Sequence, residues 1–414
     1  MSETANRKTK KICFFGHFGS TNFGNEITLH AILCHLRRVF PEAEFACICS
    51  GPEVLAATQR IEAVPISWEI VKPWNLRSPA AKLLRRLFVG VPAELCRWLI
   101  AFHTLKGTDV LIIPGTGLLT DAYGLLNWGP YNLAKWTLVG RLRGCKVLFV
   151  SVGAGPLYGA FARWLVKSAL RLAEFRSYRD KASMAYLQAI GFRTNDDRVF
   201  PDLVFSLPEN MIPHDGGARR PRRVVGLGLM GYAGRYSVSR PTNETYRKYL
   251  DALVTFAGWL LAHDYDIRFL LGEAVERTVT LEFRALLAAR FGPAAEERVV
   301  DHPAATVEQL LPEIAGADIV VATRFHNVLL ALLLGKPAIS ISFHHKCVSL
   351  MSEMGMADYC HDINHMDAER LIEQFQSLEG NAEKLRATIK EKVEQSRKAL
   401  DEQYSLIFNG ALGK

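Results

Sequence analysis

The chain has 414 residues, 49% hydrophobic and 22% charged, a composition normal for a soluble globular protein and too long for one ordinary domain. Its net charge of +8 favours anionic partners, and with no base-reading arginine helix or recognisable nucleic-acid motif those partners are phosphorylated metabolites or acidic lipid surfaces rather than nucleic acid. The eight cysteines are scattered without a Cys-x-x-Cys pair, which excludes a disulfide framework and the usual zinc and redox patterns, and no metal site is expected.

Residues 1–10 are polar and basic, lack the apolar run of a signal peptide, and read as a disordered tail. That start predicts a cytoplasmic protein with reduced, buried thiols. Lys11 to Gly16 is a buried-strand run, followed by the turn HFGSTNFGNE and a helix from Ile27 to Val39. In this turn Gly16, Gly19 and Gly24 let backbone approach a ligand, while Asn22, Asn25 and Glu26 put polar groups at the helix start. Phe45 to Ser50 is the next strand.

The stretch from Ile70 to Lys106 departs from the α/β rhythm. Lys72, Trp74, Arg77, Lys82, Arg85, Arg86, Arg97 and Trp98 are interleaved with Leu, Phe, Val and Ile, and no uncharged apolar run reaches the about 20 residues that span a bilayer. Such a stretch either lies in the interface of an acidic membrane or packs on the sheet with a solvated basic face.

Asp109 to Pro114 is a strand ending in the glycine turn of Pro114 to Asp121, which contains Thr116. Lys146 to Val152 is another, ending in S-V-G-A-G-P with Gly153 and Gly155, ahead of a helix from Ala160 to Ala173. Proline, glycine and basic residues mark 208–222 as a linker. The pattern restarts at Val224 to Met230, after which Arg235 can reach an anion, and runs through helices at Tyr246 to His263, Thr278 to Phe291 and Val307 to Ile314.

The segment from Ala317 to Ser342 is the most informative. It reads as strand, tight turn, helix and strand, with Thr323 as N-cap and Gly335 and Pro337 as the stop. Its polar residues Arg324, His326 and Asn327 all fall in the first turn of the helix, where a cation, an imidazole and a helix dipole suit an anionic substrate. The following strand, Ala338 to Ser342, ends in Phe343, His344, His345 and Lys346, so two successive strand ends carry cations. From Ala368 to Phe408 the chain is helical and polar.

R-x-H at a helix start, then G-x-P, a strand, a lysine and a helix ending in glycine resemble the polysaccharide pyruvyl transferase family. The likeness extends to the V-G-x-G-P turn, to an R-D-x-x-S element at Arg179, Asp180 and Ser183, and to Asp202; where the family has N-x-G-D-E, this chain has Asn22, Gly24, Asn25 and Glu26, with Asn25 in place of the acid. The resemblance runs from about Lys11 to Gly355 and implies an α/β fold of two Rossmann-like domains facing across a cleft, as in glycosyltransferase-B enzymes. Residues 11–207 would form the N-terminal domain with a basic amphipathic insert at 70–106, residues 223–365 the C-terminal domain, and 366–414 helices bracing the N-terminal domain.

It further implies transfer of pyruvate, as a ketal, from phosphoenolpyruvate to a saccharide or lipid-linked oligosaccharide; no cofactor or metal is expected, and the basic stretch at 70–106 would, if it meets a membrane, place the protein on the inner face of the cytoplasmic membrane. Arg324 and Lys346, with Arg235 or Arg179, would bind the donor beside the Gly153 and Gly155 turn. His326 would move the proton. Glu26 would replace the missing acid as base beside Asn25, and Asn22, Gly24, Thr116 and His344 would meet the acceptor. Two other readings stay open: a nucleotide-sugar glycosyltransferase of the same fold, although no Glu-x(7)-Glu pattern is apparent near Pro303 to Leu334, and a noncatalytic membrane-surface protein.

Overall fold

The computed structural model describes residues 9–20, 22–71, 78–122, 124, 129–213, 221–231, 244–271, 276–302, 304, 306–342 and 345–408. Arg235 and His344 lie outside the described residues, as do 1–8 of the expected tail and 214–220 of the expected linker. The chain divides into two compact units: residues 1–20, 28–203 and 402–414 form the first, and residues 21–27 and 204–401 the second.

The first unit is built on seven strands: β1 (Lys11–Phe15), β2 (Glu44–Cys49), β3 (Glu62–Pro65), β4 (Val110–Pro114), β5 (Lys146–Val152), β6 (Phe175–Tyr178) and β7 (Arg198–Val199). They pair in the order β3-β2-β1-β4-β5-β6-β7, and every pair is parallel. A parallel strand covered on both faces must be apolar throughout, and β4 (VLIIP) is buried at all five positions.

The helices of this unit are α1 (Phe23–Val39), α2 (Pro52–Gln59), α3 (Pro79–Arg85), α4 (Val91–Thr104), α5 (Pro130–Leu142), α6 (Ala160–Arg171) and α7 (Lys181–Ala189). The steps β3 to β4, β4 to β5 and β5 to β6 run the same way along the sheet, so right-handed crossovers place α4, α5 and α6 on one face, where α4 packs on α5 and α5 on α6. The steps β1 to β2 and β2 to β3 run the other way, which puts α1 and α2 on the opposite face.

The second unit repeats the scheme with β8 (Arg223–Gly228), β9 (Tyr265–Phe269), β10 (Val299–Val300), β11 (Ile319–Ala322), β12 (Ala338–Ser342) and β13 (Cys360–Asp362), in the order β10-β9-β8-β11-β12-β13 and again parallel throughout. Its helices are α8 (Glu244–Ala262), α9 (Arg277–Phe291), α10 (Val307–Ala315), α11 (Phe325–Leu333), α12 (His345–Glu353), α13 (Ala368–Gly380) and α14 (Ala382–Leu406).

Three expectations differ from what is observed. Helix α1 begins at Phe23, four residues earlier than read, because Asn22 caps it: its Oδ1 accepts from the amides of Gly24 at 3.1 Å and Asn25 at 3.3 Å. Residues 366–414 do not belong to the first unit as a block. Phe375 of α13 packs edge-on against Phe256 of α8 in the second unit, and only from Glu402 does the chain join the first, where Tyr404 stacks on His35 at 4.0 Å and Gln403 accepts from Ser177 at 2.8 Å. Finally, Cys96 on α4 is exposed, unlike the buried thiols expected. Among the described residues no helix is long and apolar enough to cross a membrane.

Candidate functional site

In an open parallel sheet, ligands are taken where neighbouring strands lead off in opposite directions. In the second unit that point lies between β8, which leads to β9, and β11, which leads to β12 on the other side. Helix α11 starts there.

The start of α11 is held from several directions. The Thr323 amide donates to the Gly228 carbonyl at 3.0 Å, and the Thr323 hydroxyl lies 2.8 Å from that of Tyr249, so Thr323 is not the cap predicted for it. Burial pushes the Tyr249 phenol pKa up, which keeps the group protonated as a hydrogen-bond partner. Arg324 takes the N-cap position with extended backbone, and the run from Asn327 to Leu333 is buried, which anchors the helix. Asn327 donates from Nδ2 to the Leu270 carbonyl at 3.0 Å, tying the first turn to the end of β9.

Arg324 donates from Nε to Oε1 of Glu276 at 2.5 Å, and Glu276 is 1% exposed. A carboxylate buried this deeply needs a charged partner, and the pair fixes the direction of the Arg324 side chain. Sequence reading missed Glu276. The available signal was its place beyond β9, on the same carboxyl-end edge of the sheet as Arg324.

His326 sits in the first turn of α11, half-buried, and residues 21–27 of the same unit approach it. A Cβ built on Gly24 would fall 1.9 Å from the His326 Nδ1, so only glycine permits the approach. Asn25 and Glu26 follow in the first turn of α1, both half-buried. The structure thus brings Asn22, Gly24, Asn25 and Glu26 into the unit that holds Arg324, His326 and Lys346. Lys346 is half-buried in the first turn of α12, whose preceding strand β12 pairs with β11.

Of the remaining predicted residues, Thr116, Gly153, Gly155 and Arg179 lie just beyond the carboxyl ends of β4, β5 and β6 in the first unit. Arg179 is buried between two acids, Nε 3.5 Å from Asp180 and Nη1 3.5 Å from Asp202, and is an interior ion pair rather than a solvent-facing cation. Asp180 also caps α7 by accepting from the Ser183 amide at 2.6 Å, and the Ser183 hydroxyl in turn accepts from the Ala154 amide at 3.0 Å. The R-D-x-x-S element is therefore a brace for the glycine turn. Gly153 lies so close to Arg179 that a Cβ would fall 2.7 Å from Nη2, and Gly155 has φ +87. Thr116 accepts the Gly153 amide on its carbonyl at 3.2 Å, and its own buried hydroxyl has no hydrogen-bond partner among the described residues.

A family model described as polysaccharide pyruvyl transferase matches residues 22–345, which takes in the start of α1, the glycine turns, α11 and the first residue of α12. The chain belongs to the polysaccharide pyruvyl transferase family. The family resemblance read from the sequence is thereby borne out. A curated relative, the amylovoran biosynthesis protein AmsJ of Erwinia amylovora, is 25% identical over 84 residues, which is 20% of this chain and 20% of that protein.

Solved structures add the fold. A glycosyltransferase from Rickettsia africae superposes with a TM-score of 0.59 at 11% identity, covering 97% of this chain and 100% of its own. A UDP-GlcNAc 2-epimerase from Neisseria meningitidis, solved with UDP-GlcNAc, gives 0.57 at 11% identity, covering 95% and 99%. This pyruvyl transferase family member therefore has the two-domain α/β fold of the glycosyltransferase-B class, as expected.

Proposed function

We propose that the protein transfers pyruvate from phosphoenolpyruvate to two hydroxyls of a sugar, as a ketal, in a surface-polysaccharide precursor carried on a lipid. The observation that carries this reading is the family match over residues 22–345, which contains the Arg324–Glu276 pair and His326 at the start of α11. No metal or cofactor enters the reading.

The donor brings a phosphate and a carboxylate. Helix starts with adjacent cations suit both, and α11 with Arg324 and α12 with Lys346 supply them from neighbouring strand ends.

Pyruvyl transfer protonates the donor's methylene carbon to a methyl group and forms two carbon–oxygen bonds from sugar hydroxyls to the central carbon, whose bond to the phosphate oxygen breaks. Of the two hydroxyl protons released, one balances the methyl group and the other leaves with phosphate. His326 moves the first proton, and Glu26, a carboxylate in the first turn of α1, takes the second. Asn25 hydrogen-bonds the acceptor but cannot accept its proton.

A ligand-binding experiment tests the donor assignment. Phosphoenolpyruvate should raise the unfolding temperature of the purified chain in a concentration-dependent way, and Arg324→Ala should remove the effect. Stabilisation by UDP-sugars alone would transfer the protein to the glycosyltransferase reading.

A further inference from the structure

We propose that the outer face of α4, α5 and α6, together with a cationic groove beside α3, seats the protein on an anionic lipid bilayer. This inference is independent of the pyruvyl-transfer reading.

Helices α3 and α4 run on through a π turn at Arg86–Gly90, in which the Val91 amide donates to the Arg86 carbonyl five residues back. Pro92 accounts for the widening, since it lacks an N–H and its ring crowds the carbonyl four residues earlier. The spacing of Leu84, Phe88, Leu95 and Leu99 keeps these side chains on one stripe along the run, and all four are exposed, Phe88 by 74% and Leu99 by 70%. Helix α6 lies in the same layer on the sheet as α4 and α5, and its stacked pair Phe161 and Trp164 is exposed as well. Apolar exposure on this scale is unusual for a protein surface that meets only water.

Charge decides what covers it. From Pro79 to Thr104 and along α5 and α6 there are nine Lys and Arg but one acid, Glu94. Glu94 is turned to its neighbours: it accepts from Tyr131 at 2.7 Å and from Arg97 at 3.0 Å, and pairs with Lys135 at 3.2 Å. Beside the π turn, Lys82, Arg85, Arg86 and Arg97 line a groove of about 380 Å³. A second copy would set cations against cations on the same face, whereas a bilayer surface offers acyl chains to the stripe and headgroup phosphates to the groove. Trp164 and Phe161 are the side chains that anchor at such an interface.

Flotation of the full chain with vesicles tests this. Phosphatidylglycerol-containing vesicles should capture it, pure phosphatidylcholine vesicles should not, and high salt should release part of the bound protein. Phe88→Asp with Leu99→Asp, and separately Lys82→Glu with Arg86→Glu, should each weaken capture by roughly tenfold or more, with unchanged circular dichroism. These sites are exposed, so folding is not at stake. No capture by either vesicle, or equal capture by both, overturns the proposal. So does a dimer in sedimentation that Phe88→Asp with Leu99→Asp dissociates, because the face would then join two copies.

Discussion

Glu276, almost wholly buried, holds the Nε of Arg324 at 2.5 Å, so the cation at the head of α11 is aimed by a carboxylate 48 residues before it in the chain. Removing either partner takes away the counter-charge that the other meets in the fold. Arg324→Ala should destabilise the second unit by on the order of 3–5 kcal/mol, and the double variant with Glu276→Ala by less than the sum of the singles, measured by urea unfolding. Glu276→Gln keeps the shape and loses the charge. It should lower kcat/KM for the donor by roughly 10²-fold through misplacement of Arg324, mostly in KM.

The contact between Gly24 and His326 makes a second expectation. Gly24→Ala introduces only a methyl group, yet that group would fall on the imidazole ring, so turnover should drop sharply while the circular dichroism of the protein stays unchanged. His326→Ala should cost about 10²–10⁴-fold in kcat, the usual worth of a positioned proton-transfer group. Wild-type turnover in both variants would remove His326 from the mechanism.

These relationships were unequally legible in the sequence. The central strands were, because they are short runs dominated by apolar residues: β4 (VLIIP), β11 (IVVA) and β12 (AISIS) are buried at every position, whereas β3 (EAVP), β6 (FRSY), β7 (RV) and β13 (CHD) carry polar residues and were not read as strands. The roles of Arg179 and Glu276 were not. Each depends on a partner brought near by folding, Asp202 in one case and Arg324 in the other, and neither local composition nor periodicity carries that information. The grouping of residues 21–27 with the second unit was equally hidden, since it comes from a tertiary approach at Gly24. Asn22 could have been read as a helix cap from its residue type.

Asn25, in place of the family's acid, separates two states of the site. With Glu26 as base, Glu26→Gln should reduce kcat by about 10²–10⁴-fold and Asn25→Asp should change little. The reverse pattern, a gain from Asn25→Asp and no loss from Glu26→Gln, would show a base lost at position 25 rather than moved.

Glu94 supplies a pH dependence. Burial pushes its pKa up, but hydrogen bonds from Tyr131 and Arg97 and the charge of Lys135 outweigh that and hold it below its ordinary 4.5. A carboxylate depressed in the fold adds stability that is complete above the ordinary value and is lost as pH falls through the folded one. The wild type should therefore weaken in acid below about pH 4.5. Glu94→Gln should be less stable at neutral pH by about 3 kcal/mol, since Lys135 is left buried, and should show a flatter acid limb in urea unfolding.

Phosphate release from phosphoenolpyruvate in the presence of a panel of sugar acceptors, followed together with the mass of the sugar, reaches the central claim most directly. The purified chain should release phosphate only when an acceptor with two neighbouring hydroxyls is present, and that acceptor should gain one pyruvate less one water, both signals vanishing in His326→Ala. Transfer of a sugar from a nucleotide donor with phosphoenolpyruvate left untouched would contradict it.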